Sequence, residues 1–184
     1  MPGRGPELQD CLARRALDVA PTALVVHRLD RDTSGLLLMA LDLAAQRDLS
    51  RQFAERSIEK LYTAVVAGTP TEDQGLVDLP LRKDFARPPR HCVDLAQGRP
   101  AQTRWRVVAR QGDRCRLAIE PLTGRSHQIR LHLATIGHPI LGDNLYAGEA
   151  IRALAPRLLL HAERLGVAHP DDGRRIAWSV ATPF

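Results

Sequence analysis

Lysine is nearly missing from this chain of 184 residues: Lys60 and Lys83 are the only two among 26 Lys/Arg. So strong a bias toward arginine can follow from a high-GC genome, so basic composition alone does not establish a function. Cysteine is scarce too. Cys11, Cys92 and Cys115 form neither a C-x-x-C pair nor an even framework, which excludes a disulfide-stapled fold and leaves reduced thiols of a cytosolic protein. No apolar run approaches the ~20 residues of a membrane span. The opening Met1-Pro2-Gly3-Arg4-Gly5-Pro6-Glu7 lacks the apolar stretch of a secretory signal. The expectation is a cytoplasmic protein with no membrane partner.

What is present fits one globular domain. Hydrophobic residues make up 44% and charged residues 26%, enough apolar content for one sizeable core over residues 1–184. Net charge is +5, and its distribution is uneven. Between Arg82 and Arg116 ten basic residues face only Asp84, Asp94 and Asp113, so that segment carries +7 and the rest of the chain −2. A basic segment on a near-neutral body suits phosphate contacts, with arginine the better phosphate ligand.

Periodicity sketches the elements. Residues 1–10 read as turn and loop, and 8–18 as a short helix. Val25–Ala40 reads as strand, loop, strand. Asp42 is placed as the N-cap of a helix carrying apolar residues at 43, 45, 49, 53 and 54. Ile58–Val66 is a strand. Gly75–Arg99, rich in proline, glycine and arginine, reads as an irregular exposed excursion. Thr103–Arg110 and Cys115–Glu120 form a hairpin around Gln111-Gly112-Asp113. Ser126–Ile136 is a helix closed by Gly137. Leu158–Leu160, Arg164–Ala168 and Arg175–Val180 are further short strands. The sum is an α+β fold, with a mixed, mainly antiparallel sheet and a few flanking helices.

One segment stands out as a site for chemistry. His27-Arg28-Leu29-Asp30-Arg31-Asp32-Thr33-Ser34-Gly35 is a polar turn between two apolar runs. An acid at the lip of a buried sheet, two residues from an arginine, is a place for chemistry or simply a surface ion pair. The residues alone leave both readings open. The segment His27-Arg28-Leu29-Asp30 with Thr33-Ser34-Gly35-Leu36-Leu37-Leu38 resembles the catalytic motif of the RluA-type RNA pseudouridine synthases. Four more segments resemble motifs of that family, in the same order: Glu59–Gly68, Gly124–Leu133, Gly137–Tyr146 and Arg157–Ala162. Pro80-Leu81, Gly98–Thr103 and Ala155-Pro156-Arg157 resemble its dual-specificity branch.

The resemblance implies an isomerase that turns specific uridines into pseudouridine within RNA stem-loops. A loop of 23S rRNA and the first nucleotide of a tRNA anticodon loop are the implied targets. It implies Asp30 as the reacting carboxylate, by attack on C6, by attack on C1′, or by removal of a 2′ proton. Arg130 is the implied basic partner, which suits a residue that keeps its proton and binds carboxylates bidentately. Tyr62 would stack on the base and relay a proton, and Leu160 would cover its other face. Arg28 would fill the gap left by the flipped uridine. Arg125 and the 82–116 arginines are candidate phosphate contacts. Moving a glycosidic bond from N1 to C5 changes no oxidation state, so no cofactor and no metal is expected, and the protein is expected to act as a monomer.

The same residues admit other readings. His127 and His132 are five apart rather than four, which disfavours zinc, and Asp30 with Asp32 has no third acid near in sequence. His27, His132 and His161 read as structural hydrogen-bonders, and Asp143 as a turn former. A glycoside hydrolase or nuclease lacks an identifiable second carboxylate or metal cluster. A non-catalytic RNA-binding protein on the same scaffold is the remaining rival. Family chains open with two strands and an N-K-P-x-G-L segment before the equivalent of Pro2-Gly3-Arg4, where this sequence begins. The expectation is therefore a late start codon or truncated gene model, against a real short form with an open sheet edge. A single catalytic domain over residues 1–184, without the S4-like domain of some relatives, is expected.

Overall fold

The computed structural model describes residues 10–184. The turn and loop expected for residues 1–10 falls almost wholly outside them. In chain order the first elements are α1 (Leu12–Val19), β1 (Leu24–Val25), β2 (Ser34–Gly35), β3 (Met39–Ala40) and α2 (Leu43–Glu55). The middle is all strand: β4 (Glu59–Ala67), β5 (Gln74–Asp78), β6 (Leu81–Lys83), β7 (His91–Val93), β8 (Gln102–Gln111) and β9 (Arg114–Pro121). There follow α3 (Gln128–Thr135), α4 (Glu149–Arg152), β10 (Leu160–Ala168) and β11 (Arg175–Ser179). The fold is α+β with mainly antiparallel pairing, as expected.

These elements form two compact units. The smaller takes the described residues up to Leu29 with Leu36–Glu59 and Leu165–Trp178. Its core joins Ala40, Leu49, Ile58, Leu165 and Val167, with Leu24, Val26, Leu36 and Phe53 packed around them. Asp42 caps α2 as its position predicts, accepting a hydrogen bond from Ala45 N at 2.8 Å. β1 and β3 pair antiparallel, Leu24 opposite Ala40. The expected second strand is shorter than its apolar run: Leu36 and Leu38 pack into the core without forming a ladder. Apolarity records burial, not strand pairing.

The larger unit takes Asp30–Gly35, Lys60–Arg164 and Ser179–Phe184. Within it β5, β8, β9 and β4 lie side by side, and the first residues of β10 extend the sheet beyond β4. β8 and β9 form the expected hairpin. β8 alternates, with Thr103 and Trp105 buried and Arg104 and Arg106 exposed, the mark of a sheet with one wet face. β4 is buried at four consecutive positions, Thr63–Val66, because it sits in the middle.

Two expectations need correction here. Gly75–Arg99 is not irregular: it contains most of β5, which pairs with β8, and a second small hairpin, β6 with β7. Leu81, 2% exposed, anchors that hairpin in a small core with Ala101 and Leu131. Prolines and glycines at the turns masked three short strands. The two strands expected over 158–168 are the single β10. The helix expected over Ser126–Ile136 is α3, whose residues from Gln128 to Leu133 are all buried, with Gly137 behind it at φ +87°.

Candidate functional site

The Asp30 loop is fixed at its far end. Ser34 and Gly35 of β2 pair in parallel with His161 and Ala162 of β10. The Ser34 hydroxyl shares a hydrogen bond with His161 Nδ1 at 2.8 Å and accepts one from Arg157 Nη2 at 2.5 Å. Gly35 adopts φ +111°, and a Cβ there would overlap the backbone of Ala162. Gly35→Ala is therefore expected to destabilise the chain by at least about 1–3 kcal/mol from the backbone conformation alone. Denaturant unfolding measures it, and a variant as stable as the parent would contradict this anchoring.

The larger unit brings Asp30, Tyr62 and Arg130 into one electrostatic neighbourhood. Tyr62 stands on β4, opposite Ile119, packed against the same apolar cluster that holds Leu160. Burial, and then the nearby Asp30 carboxylate, push its phenol up to about 12. Tyr62 is therefore neutral at pH 7 and a poor proton acceptor until something draws its own proton away. Leu160 is 2% exposed and lies inside that cluster. Arg125 is half-buried, its Nε donating to Pro100 O at 3.1 Å. Arg28 is exposed and belongs to the smaller unit.

Arg130 is 2% exposed, and its closest partner is one that the sequence reading assigned only to a turn. Its Nε and Nη2 donate to the two carboxylate oxygens of Asp143 at 2.8 and 2.6 Å, and Nη2 also donates to Asn144 Oδ1 at 3.0 Å. Asp143 does shape the turn, since Oδ1 accepts from the backbone N–H of Leu145 and Tyr146. Burial alone would raise its pKa. The bonds from Arg130 and the two backbone donors outweigh burial and hold the carboxyl below its usual range. Asp30 acts on Arg130 through its charge, while Asp143 supplies the bidentate contact.

Three further side chains close this neighbourhood. The Tyr146 hydroxyl accepts from His91 N at 2.8 Å and pairs with His127 Nδ1 at 2.8 Å. Its ring lies under the guanidinium groups of Arg90 and Arg130, at 5.4 and 5.5 Å. The imidazoles of His91 and His127 meet edge to face at 5.1 Å. Burial pulls both histidines below their ordinary pKa, against the opposing charge of Asp30. Among the described residues, the buried side-chain polar atoms without a hydrogen-bond partner are Thr33 Oγ1, His91 Nδ1 and His161 Nε2. Each belongs to the Asp30 loop, senses Asp30, or holds Ser34. Buried polar atoms are seldom left unpaired, so each of these three calls for an explanation.

Among the described residues no group of three or more His, Cys, Asp or Glu could hold a metal ion, and no helix is long and apolar enough to cross a membrane. The three histidines read as structural do bond that way: His27 to Leu38 N, His132 to Thr103 and Leu79, His161 to Ser34.

The RNA pseudouridylate synthase family model matches residues 4–135. The chain belongs to that family. It is 46% identical over its whole length to the dual-specificity RNA pseudouridine synthase RluA of Escherichia coli K12, covering 84% of that protein. The protein of the same name from Yersinia pestis is 47% identical over the whole chain, 90% of that protein being covered. Among solved structures, human RNA pseudouridylate synthase domain containing 1 superposes with a TM-score of 0.82 at 32% identity, covering 94% of this chain and 74% of that one. The chain is therefore an isomerase, an RNA-binding pseudouridine synthase that modifies RNA. Within this pseudouridine synthase, Asp143, Tyr146, His91 and His127 had no role assigned from sequence beyond a turn at Asp143. The signal was available for three of them: Asp143 and Tyr146 lie in the segment following the Arg130 helix, and His127 within the motif that carries Arg130.

Proposed function

We propose that this pseudouridine synthase acts on a loop uridine of 23S rRNA and on the first nucleotide of a tRNA anticodon loop, using Asp30 as its reacting carboxylate. It works in the cytoplasm as a monomeric, single catalytic domain, without metal or cofactor. The observation that carries the reading is the convergence of Asp30, Tyr62 and Arg130 within one unit. The names of the bacterial relatives, dual-specificity RNA pseudouridine synthases, support a reading with two kinds of RNA target. Arg130 would keep Asp30 ionised beside the sugar, while Tyr62 and Leu160 would hold the uracil. Arg28 would enter the stack as the base leaves. Neutral Tyr62 is suited to stacking and to donating a hydrogen bond. A role as proton acceptor requires that its own proton move on in the same step.

Incubating the purified chain with RNA hairpins bearing a loop uridine, in chelator and without nucleotide, tests this reading. Pseudouridine at the two named loops is expected. Product confined to other positions would overturn the substrate assignment, and RNA binding without any product would overturn cofactor-free turnover. Salt dependence tests the basic segment. Arg82, Arg87, Arg104 and Arg110 are already in ion pairs, with Asp94, Asp84, Glu120 and Asp73. Arg116 donates to Phe184 O. The remaining phosphate candidates of the segment are Lys83, Arg90, Arg99, Arg106 and Arg114. If all five meet phosphates of a single-stranded loop, log K should fall with log salt at a slope of about −3.5. A flat response would remove them from the RNA interface.

A further inference from the structure

His127 is one of only two non-glycine residues with positive φ among the described residues, at +56° immediately before α3. Histidine tolerates the left-handed region better than most side chains, but the conformation still costs free energy. Such strain persists where surrounding structure imposes it, and here the ring is held from two sides. Its Nδ1 meets the Tyr146 hydroxyl, and its ring meets that of His91 edge to face. Tyr146 Oη accepts the backbone N–H of His91 and has its own proton to give to His127 Nδ1. In that arrangement the imidazole carries its proton on Nε2.

That Nε2–H has no hydrogen-bond partner among the described residues, yet it is not among the buried atoms lacking one, so solvent or a ligand can reach it. The ring lies within the field of Asp30 and of Arg130. We infer that His127 is a further catalytic residue, donating its Nε2–H to a carbonyl oxygen of the target uracil. This rests on Asp30 as the reacting group. The C1′–N1 bond breaks with its electron pair on the base, C1′–C5 forms, a proton leaves C5 and one arrives at N1. Whether Asp30 attacks C1′ or C6, or takes a 2′ proton, negative charge passes onto the uracil and its exocyclic oxygens before the new bond forms. A fixed neutral donor stabilises that charge without competing with Arg130 for Asp30. Burial keeps His127 in the neutral form at pH 7.

Two substitutions separate this role from a structural one. In His127→Asn the amide reaches only as far as Nδ1, so the Tyr146 contact and tolerance of left-handed φ are kept while the Nε2 donor is lost. In His127→Gln the amide reaches the Nε2 position but the Nδ1 contact is lost. Single-turnover rates with enzyme in excess, RNA affinity and thermal unfolding are measured for both, with Asp30→Asn alongside. The asparagine variant should unfold like the parent and bind RNA normally, yet lose about 10²–10³-fold in the chemical rate. The glutamine variant should be less stable but faster than the asparagine variant. An asparagine variant within about twofold of the parent rate, or a glutamine variant no faster than it, would overturn the inference. An active Asp30→Asn protein would instead overturn the reading of Asp30, whatever the two His127 variants do.

Discussion

Asp30→Asn is expected to lower pseudouridine formation by at least about 10⁴-fold, some 5.5 kcal/mol of transition-state stabilisation, with RNA affinity held within about tenfold. Asparagine matches aspartate in shape, so the loop anchored by Ser34 and Gly35 should keep its path. What disappears is the charge and, with it, the oxygen proposed to react. A group that only stabilises charge in the transition state typically contributes 10²–10³-fold. A loss confined to that range would make Asp30 an electrostatic aid instead of the reacting carboxylate. A second readout is independent of turnover. The chain has two tyrosines, Tyr62 and Tyr146, so their titration can be followed by absorbance. Part of the upward push on Tyr62 comes from the Asp30 carboxylate. Removing that charge should bring its pKa down from about 12, while burial keeps it above the ordinary value of 10. An unchanged titration would mean that Asp30 and Tyr62 do not share a site.

Elements with one dominant physical signature were legible in the sequence. Asp42 is a capping residue ahead of helically spaced leucine and phenylalanine, and it caps. The β8–β9 hairpin alternates around Gly112, and it forms with the expected turn. The misread elements are those whose signal is tertiary. β5, β6 and β7 are three to five residues each, too short for period-2 alternation to register beside prolines and glycines. Their strand character comes from pairing with β8 and with each other, and from the contact of Leu81 with Ala101 and Leu131.

The site divides along the same line. Asp30, Tyr62, Arg130 and Leu160 came from collinear motifs, and the charge of Asp30 reaches both Tyr62 and Arg130 across residues distant in sequence. The hydrogen-bond partners of those residues did not come with the motifs. Glycine followed by aspartate is a turn signal, and Asp143 is a turn residue in fact. That its other lone pairs face Arg130, thirteen positions earlier, depends on how α3 packs against the following loop. His91 is harder still, since it comes from the hairpin read as irregular. Local chemistry is written in the sequence, whereas the second partner of a bifunctional side chain is set by packing.

Asp143→Ala is expected to destabilise the chain by about 3–5 kcal/mol, because it takes from the buried Arg130 guanidinium its bidentate carboxylate and leaves only the charge of Asp30 to oppose it. Both side chains of the pair are almost fully buried, at 2% and 1% exposure, so water cannot take over from the lost carboxylate. Asn144 Oδ1 would remain as the acceptor, and the N–H groups of Leu145 and Tyr146 would lose theirs. The double variant Arg130→Met with Asp143→Leu removes both charges, and should recover much of the lost stability while leaving no turnover. That outcome separates the cost of a lone buried cation from the catalytic need for one. Acidity gives the same pair a sign. The Asp143 carboxyl titrates below its usual 3.8 in the folded chain, so its stabilisation is present above that pH and is lost as the pH falls through the folded value. The gap in stability between the parent and Asp143→Asn should therefore narrow below about pH 4. Denaturant unfolding at pH 7 and in acid measures both effects. An Asp143→Ala protein within about 1 kcal/mol of its parent would show that Arg130 finds compensation elsewhere, and would remove the pair as the support that holds Arg130 toward Asp30.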